Sequence, residues 1–146
     1  MIYKVSIIYT FFKFKFKRIY IKTGVKNIED YYSILSICNG AYYGGGFNIA
    51  PKSQLTDGIL DIYYAEKMPK IKMLPLLLKL KKGKHVGKRR MHKFRSKHVE
   101  ISLKEDVTFN VDGEKLTDNH FVLDVLPKEI LYFNDDEFVQ EILNKK

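Results

Sequence analysis

The sequence predicts a mainly β domain, an antiparallel β-sandwich with short peripheral helices. Three observations predict it. Apolar and polar residues alternate at period two in several short stretches, as strands with one buried face do. Turn-forming residues separate those stretches at Thr23-Gly24, Lys104-Glu105-Asp106, Asp112-Gly113, Asp118-Asn119 and Pro127. The third is the stretch 39–64, NGAYYGGGFNIAPKSQLTDGILDIYY, where a glycine-rich, shaped entrance leads into an alternating strand at 59–64. That strand needs partners on both sides, so the stretch belongs near the centre of a sheet.

Taken in order, residues 1–12 are apolar at Ile2, Val5, Ile8, Tyr9 and Phe12, a near-helical spacing with no N-cap, and read as a truncated helix. Phe12, Phe14 and Phe16 then alternate with lysines, and 12–22 reads as a strand. The apolar run 31–38 is a second strand and 59–64 a third. Residues 70–82, KIKMLPLLLKLKK, read as a short basic helix that Pro75 either kinks or begins. A basic loop follows over 83–93. Strands are expected at 98–103, 107–111, 121–126 and 130–133, which makes about seven. The tail 134–146 reads as a helix with Asn134 as N-cap, acids in its first turn and Lys145-Lys146 at its end, matching the helix dipole. The 146 residues fit one domain spanning 1–146.

Composition bounds the function. Hydrophobic residues make up 45% of the chain, which excludes a disordered protein. The single cysteine, Cys38, rules out an internal disulfide and is compatible with a reducing compartment. Apolar runs are too short to span a membrane as a helix. Net charge is +9, yet 13 of the 26 Lys/Arg fall between Lys67 and Val99, where there is no Asp or Glu. The rest of the chain is slightly acidic. A localised basic segment suits a polyanion, such as nucleic acid, an anionic membrane or phosphates; a solvated loop is the plainer reading.

Few residues suggest chemistry by themselves. Cys38 sits in an apolar strand and reads as a core thiol. His85, His92 and His98 lie in the basic segment, which disfavours a divalent metal. The triple glycine lacks the Lys-Ser or Lys-Thr of a phosphate-binding loop. Two acidic turns remain, Asp57-Gly58 and Asn110-Val111-Asp112-Gly113-Glu114. On an extended strand 110, 112 and 114 share a face, so Asp112 and Glu114 would be neighbouring carboxylates able to act as base or metal ligand. Asp-Gly is also the commonest hairpin turn.

Five motifs occur in order: Asn39-Gly40-x-Tyr42-x-Gly44-Gly45-Gly46-Phe47-x-Ile49-Ala50-Pro51, Asp57-Gly58-x-Leu60-Asp61, Lys82-Gly83-Lys84-His85, Asn110-Val111-Asp112-Gly113-Glu114, and Leu126-Pro127. Together they resemble the C-terminal domain of the bacterial diacylglycerol kinase and related lipid kinase family, which shares its fold with NAD kinases and with sphingosine and ceramide kinases. The resemblance covers nearly the whole chain. It implies a C-terminal β-sandwich facing an N-terminal nucleotide domain across a cleft. It implies Glu114 as proton acceptor for a lipid hydroxyl, with Asp112 beside it, and Mg²⁺ on the Asp57 carboxylate and the carbonyls of Gln54 and Ile59. Any nucleotide-bound metal would be separate. Residues 1–12 then match a linker helix.

The family's Gly-Gly-Asp-Gly-Thr nucleotide motif is missing from the 146 residues. The expectation is a lipid-substrate and catalytic-base portion of an ATP-dependent lipid kinase, inactive alone because ATP is bound mainly by another domain. Expected partners are a lipid alcohol such as diacylglycerol, an anionic membrane surface through 70–98, the N-terminal domain and a second copy in a homodimer. The expected location is cytoplasmic, peripheral at the inner membrane surface. The competing readings are a basic β-domain binding nucleic acid, with Phe12, Phe14, Phe16 and Tyr20 as a stacking surface, or a non-catalytic interaction module. The nucleic-acid reading gives Asp57 and Glu114 no reason.

Overall fold

A computed structural model describes residues 15–44, 46–127 and 129. The expected helices over 1–12 and 134–146 and the strand over 130–133 lie outside the described residues. Within them the order is β1 (Lys17–Thr23), β2 (Asn27–Cys38), β3 (Leu60–Glu66), α1 (Lys70–Lys81), β4 (Met91–Ser96), β5 (His98–Val111) and β6 (Glu114–Asp124). All six strands join one antiparallel sheet in the order β4-β3-β2-β1-β5-β6. The mainly β, antiparallel expectation holds. The strand after the glycine-rich stretch has partners on both sides, β2 and β4.

Register explains the core. Ile21 lies opposite both Ile28 and Ile101, Ile37 opposite Ile62, Ile62 opposite Phe94, and Ile101 opposite Phe121. Because side chains alternate, these rows fall on one face and form one cluster across the sheet. Fully burying each of Ile21, Ile62 and Val99 contributes about 1.5–3 kcal/mol. On the opposite face, α1 lays Met73, Leu76 and Leu80 against Ala65 and Met68, with Ile34, Ile49 and Met91 at the margin.

The helix tolerates Pro75 in its interior. The carbonyl that Pro75 leaves unpaired belongs to exposed Ile71. Its C-terminus closes on Gly83, at φ +66°: the Gly83 N–H donates to Leu80 O at 3.2 Å and the Lys84 N–H to Lys79 O at 2.9 Å. Both bonds satisfy carbonyls the last turn would otherwise leave open.

Several boundaries differ from expectation. The polar residues 27–30 extend β2, because the Thr23 hydroxyl clasps the turn, donating to Lys26 O and accepting from the Val25 and Lys26 N–H groups. β4 begins inside the expected basic loop over 83–93 and runs past its end, to Ser96. Its charges hide a period-two pattern in which Phe94 packs on the core while Lys93 and Arg95 take the other face. The turn expected at 104–106 is instead a register irregularity between Ser102 and Val107 within one long strand. Likewise Asp118-Asn119 lies inside β6, whose 114–120 half has no buried residue and so shows no apolar alternation.

Candidate functional site

The glycine-rich stretch leaves β2 at Cys38 and folds into a small loop. Tyr43 and Phe47 exchange backbone hydrogen bonds of 2.8 and 2.9 Å, with Gly44 at φ +22° and Gly46 at φ +87°. That tight reversal presents Tyr42, Tyr43 and Phe47 outward. Across from it stands the β5–β6 hairpin. Asp112 and Gly113 are its two turn residues, at φ +48° and +103°, both left-handed as a two-residue hairpin requires. The Asn110 side chain is the junction. Its Oδ1 accepts the Gly113 N–H at 3.0 Å and the Tyr43 hydroxyl. Residues 67 positions apart in sequence are thereby joined.

The one-face expectation for 110, 112 and 114 fails here. The chain reverses at 112–113, so Glu114 pairs with Val111 and shares its face, while Asn110 pairs with Lys115 on the other. Asp112 and Glu114 are therefore neighbours through a turn, both exposed at the hairpin tip. Cys38 is half-buried; burial first, then the charges of Asp61 and Asp112, push its thiol up to about 11. It is a protonated thiol at neutral pH, as the core reading expects.

The second acidic turn is organised differently. Asp57 accepts the Ile59 N–H at 3.0 Å through one carboxylate oxygen and pairs with the Arg95 guanidinium through the other. Arg95 also reaches Asp61, Nε to Oδ1 at 3.4 Å. Asp61 is fully buried, with Lys93 Nζ at 2.8 Å and the Ser53 hydroxyl donating at 2.5 Å. Lys93 in turn lies over the Tyr63 ring. Burial opposes the Lys93 charge, but Asp61 and Tyr63 outweigh it and hold its pKa above the ordinary lysine value. Gln54 is exposed and Ile59 half-buried beside this turn. With both Asp57 oxygens engaged and a guanidinium in contact, the arrangement does not fit Mg²⁺ on Asp57 and the carbonyls of Gln54 and Ile59 unless Arg95 withdraws. Among the described residues no three His, Cys, Asp or Glu side chains converge to hold a metal.

Sequence reasoning missed Tyr43, Lys93 and Arg95. A signal for the last two was present: Asp61 is a charged residue within the otherwise apolar run 59–65, and a buried carboxylate requires a cationic partner. His85, from the Lys-Gly-Lys-His motif, is also fully buried, edge-on to Tyr63 with ring centroids 5.7 Å apart.

Residues 1–133 match a family model described as the YegS C-terminal NAD kinase beta sandwich-like domain. This chain belongs to that family. A protein of Pectobacterium atrosepticum named "Probable lipid kinase YegS-like" is 30% identical over 99 residues, which cover 66% of this chain and 31% of that protein. A protein of the same name from Yersinia pestis is 30% identical over 100 residues, with the same coverage. The chain thus spans about a third of the length of these relatives. Two solved structures from Bacillus anthracis str. Sterne with diacylglycerol kinase in their names superpose with TM-scores of 0.66 and 0.59, at 21% and 19% identity. They cover 86% and 84% of this chain, and 41% and 44% of theirs, and establish the shared fold.

Proposed function

We propose that this domain supplies the lipid-substrate side of an ATP-dependent lipid kinase, in which the Glu114 carboxylate accepts the proton of a lipid hydroxyl, with Asp112 beside it. The observation that carries the reading is the Tyr43–Asn110 junction, which holds the Asp-Gly-Glu hairpin against the glycine-rich loop. Phosphoryl transfer needs an oxygen positioned in line, its proton accepted and the phosphate charge neutralised. A carboxylate at a hairpin tip offers acceptor oxygens and can serve the second need. The third falls to a nucleotide-binding half, which brings ATP with its own Mg²⁺. Tyr42, Tyr43, Phe47 and Leu55 leave exposed apolar surface near the loop, where a lipid alcohol such as diacylglycerol fits.

Helix α1 supports work at a bilayer. At 100° per residue its buried residues Met73, Leu76 and Leu80 occupy one arc. Ile71, Leu74 and Leu78 occupy the opposite one and are 77%, 55% and 66% exposed. Lys72, Lys79, Lys81 and Lys82 flank that second stripe. An exposed apolar ridge edged by lysines suits the headgroup region of an anionic membrane. No helix among the described residues is long and apolar enough to cross it.

The test is reconstitution. The chain is combined with a separately produced nucleotide-binding domain from a lipid kinase relative, and ATP-dependent phosphorylation of diacylglycerol in vesicles is measured. We expect no transfer by the chain alone, transfer by the pair, and loss of at least about 100-fold with Glu114→Gln. Full activity in the Gln variant overturns the assignment of the base.

A further inference from the structure

We propose that Arg95 takes the place of a metal ion at the Asp57 turn: the turn is closed by an internal cation, and divalent metal is excluded from it. This goes beyond the kinase reading and does not rest on it. The geometry shows one guanidinium spanning two carboxylates. Arg95 sits directly opposite Asp61 in the β3–β4 register, so its stem starts beside Asp61 and its head reaches the 51–58 loop. Nε contacts Asp61 at 3.4 Å and Nη2 contacts Asp57. A planar fork with five fixed donors suits this bridging, which a single ammonium cannot reproduce.

Charge balance points the same way. Asp57 and Asp61 contribute two negative charges, and Arg95 and Lys93 two positive ones, within one connected network. Asp61 is fully buried, and the Asp57 side chain is only 18% exposed. A divalent cation added there would leave two uncompensated positive charges in a partly desolvated site. The other fastenings of the loop need no metal either. Ser53 donates to Asp61, the Ile59 N–H donates to Asp57, and Gly58 takes φ +66°, with the space above its Cα backed by Pro127.

The experiment uses the 146-residue chain with Mn²⁺ as a paramagnetic probe, read by amide line-broadening, alongside thermal unfolding in Mg²⁺ and in EDTA. For the unaltered chain we expect no selective broadening over 54–59 and the same unfolding midpoint in both buffers. Arg95→Gln removes the internal cation. Its midpoint should fall in EDTA and recover at least partly in Mg²⁺, with Mn²⁺ broadening appearing at 54–59 and abolished by adding Asp57→Asn. Selective Mn²⁺ broadening at 54–59 in the unaltered chain overturns the proposal, as does a midpoint that drops on chelation. Both readings come from the unaltered protein, so the proposal stays open to refutation even if Arg95→Gln does not fold. A folded Arg95→Gln chain that binds no Mn²⁺ overturns the exclusion by Arg95. None of these readouts involves phosphate transfer.

Discussion

The Tyr43 hydroxyl donates to Asn110 Oδ1, the same oxygen that accepts the Gly113 N–H of the hairpin turn. One acceptor thus fixes the shape of the turn that bears Asp112 and Glu114 and ties it to the glycine-rich loop. Tyr43→Phe removes one bond and Asn110→Ala removes both. For these exposed groups the cost should be about 0.5–1.5 kcal/mol for the first and more for the second. A double-mutant cycle by urea unfolding should give a coupling near the Tyr43→Phe value, and amide exchange at Gly113 should accelerate in both variants. Full additivity would mean the two residues do not interact.

Two glycines separate backbone strain from crowding. Gly113 has φ +103° with nothing near the position of an added Cβ, so Gly113→Ala should cost about 1–2 kcal/mol from backbone conformation alone. Gly83 also has positive φ, and there a Cβ would meet the Asn48 side chain at 3.1 Å and Pro51 at 3.3 Å. Gly83→Ala should cost more than Gly113→Ala in the same unfolding measurement. The reverse order would mean that Asn48 and Pro51 yield easily.

Asp61 is the buried anchor of β4. Asp61→Asn keeps the shape but removes the charge facing Lys93 and Arg95. Both cations are partly exposed and can turn to water, so we expect a loss of about 1–3 kcal/mol, below that of a fully buried pair. Calorimetry should show a lower unfolding midpoint and hydrogen exchange should show a looser β4. An unchanged midpoint would remove Asp61 from any structural role.

His85 makes stability sensitive to acid. Burial holds its pKa below the ordinary 6.5, with the backbone of Ile49 and Lys79 opposing in part. Between the folded and unfolded values the unfolded chain binds more protons, so this contribution is complete above about 6.5 and falls away as the pH drops toward the folded value. His85→Phe should flatten the pH dependence of unfolding free energy just below 6.5. An equal slope in both proteins would sink the assignment.

The exposed stripe of α1 predicts binding to vesicles. Sedimentation with vesicles containing anionic lipid should be strong at low salt and weak at high salt, as screening requires. Leu74→Ser with Leu78→Ser should weaken it without unfolding the chain, because both side chains face solvent. Binding that ignores anionic lipid and salt would refute the membrane reading of residues 70–98.

Much of this fold was legible from local pattern. Thr23-Gly24 and Asp112-Gly113 mark hairpins because those residues suit tight turns, and both turns form. The glycine-rich stretch and the strand after it fall where alternation and glycine density put them. Strand β4 and the 114–120 half of β6 were obscured because each is held by its neighbour rather than by its own apolar rhythm. β4 leans on β3 through Lys93, Arg95 and Asp61; the exposed half of β6 rides on β5.

By itself the sequence determined the mainly β class, the main turns, the helix that stops short of Gly83 and the family motifs, because these depend on neighbours close along the chain. The tertiary structure alone decided which distant groups meet. It set Tyr43 on Asn110, turned Glu114 away from the face of Asn110, and gave Asp57 to Arg95. Such pairings follow from strand order and register, which arise from packing the whole sheet at once.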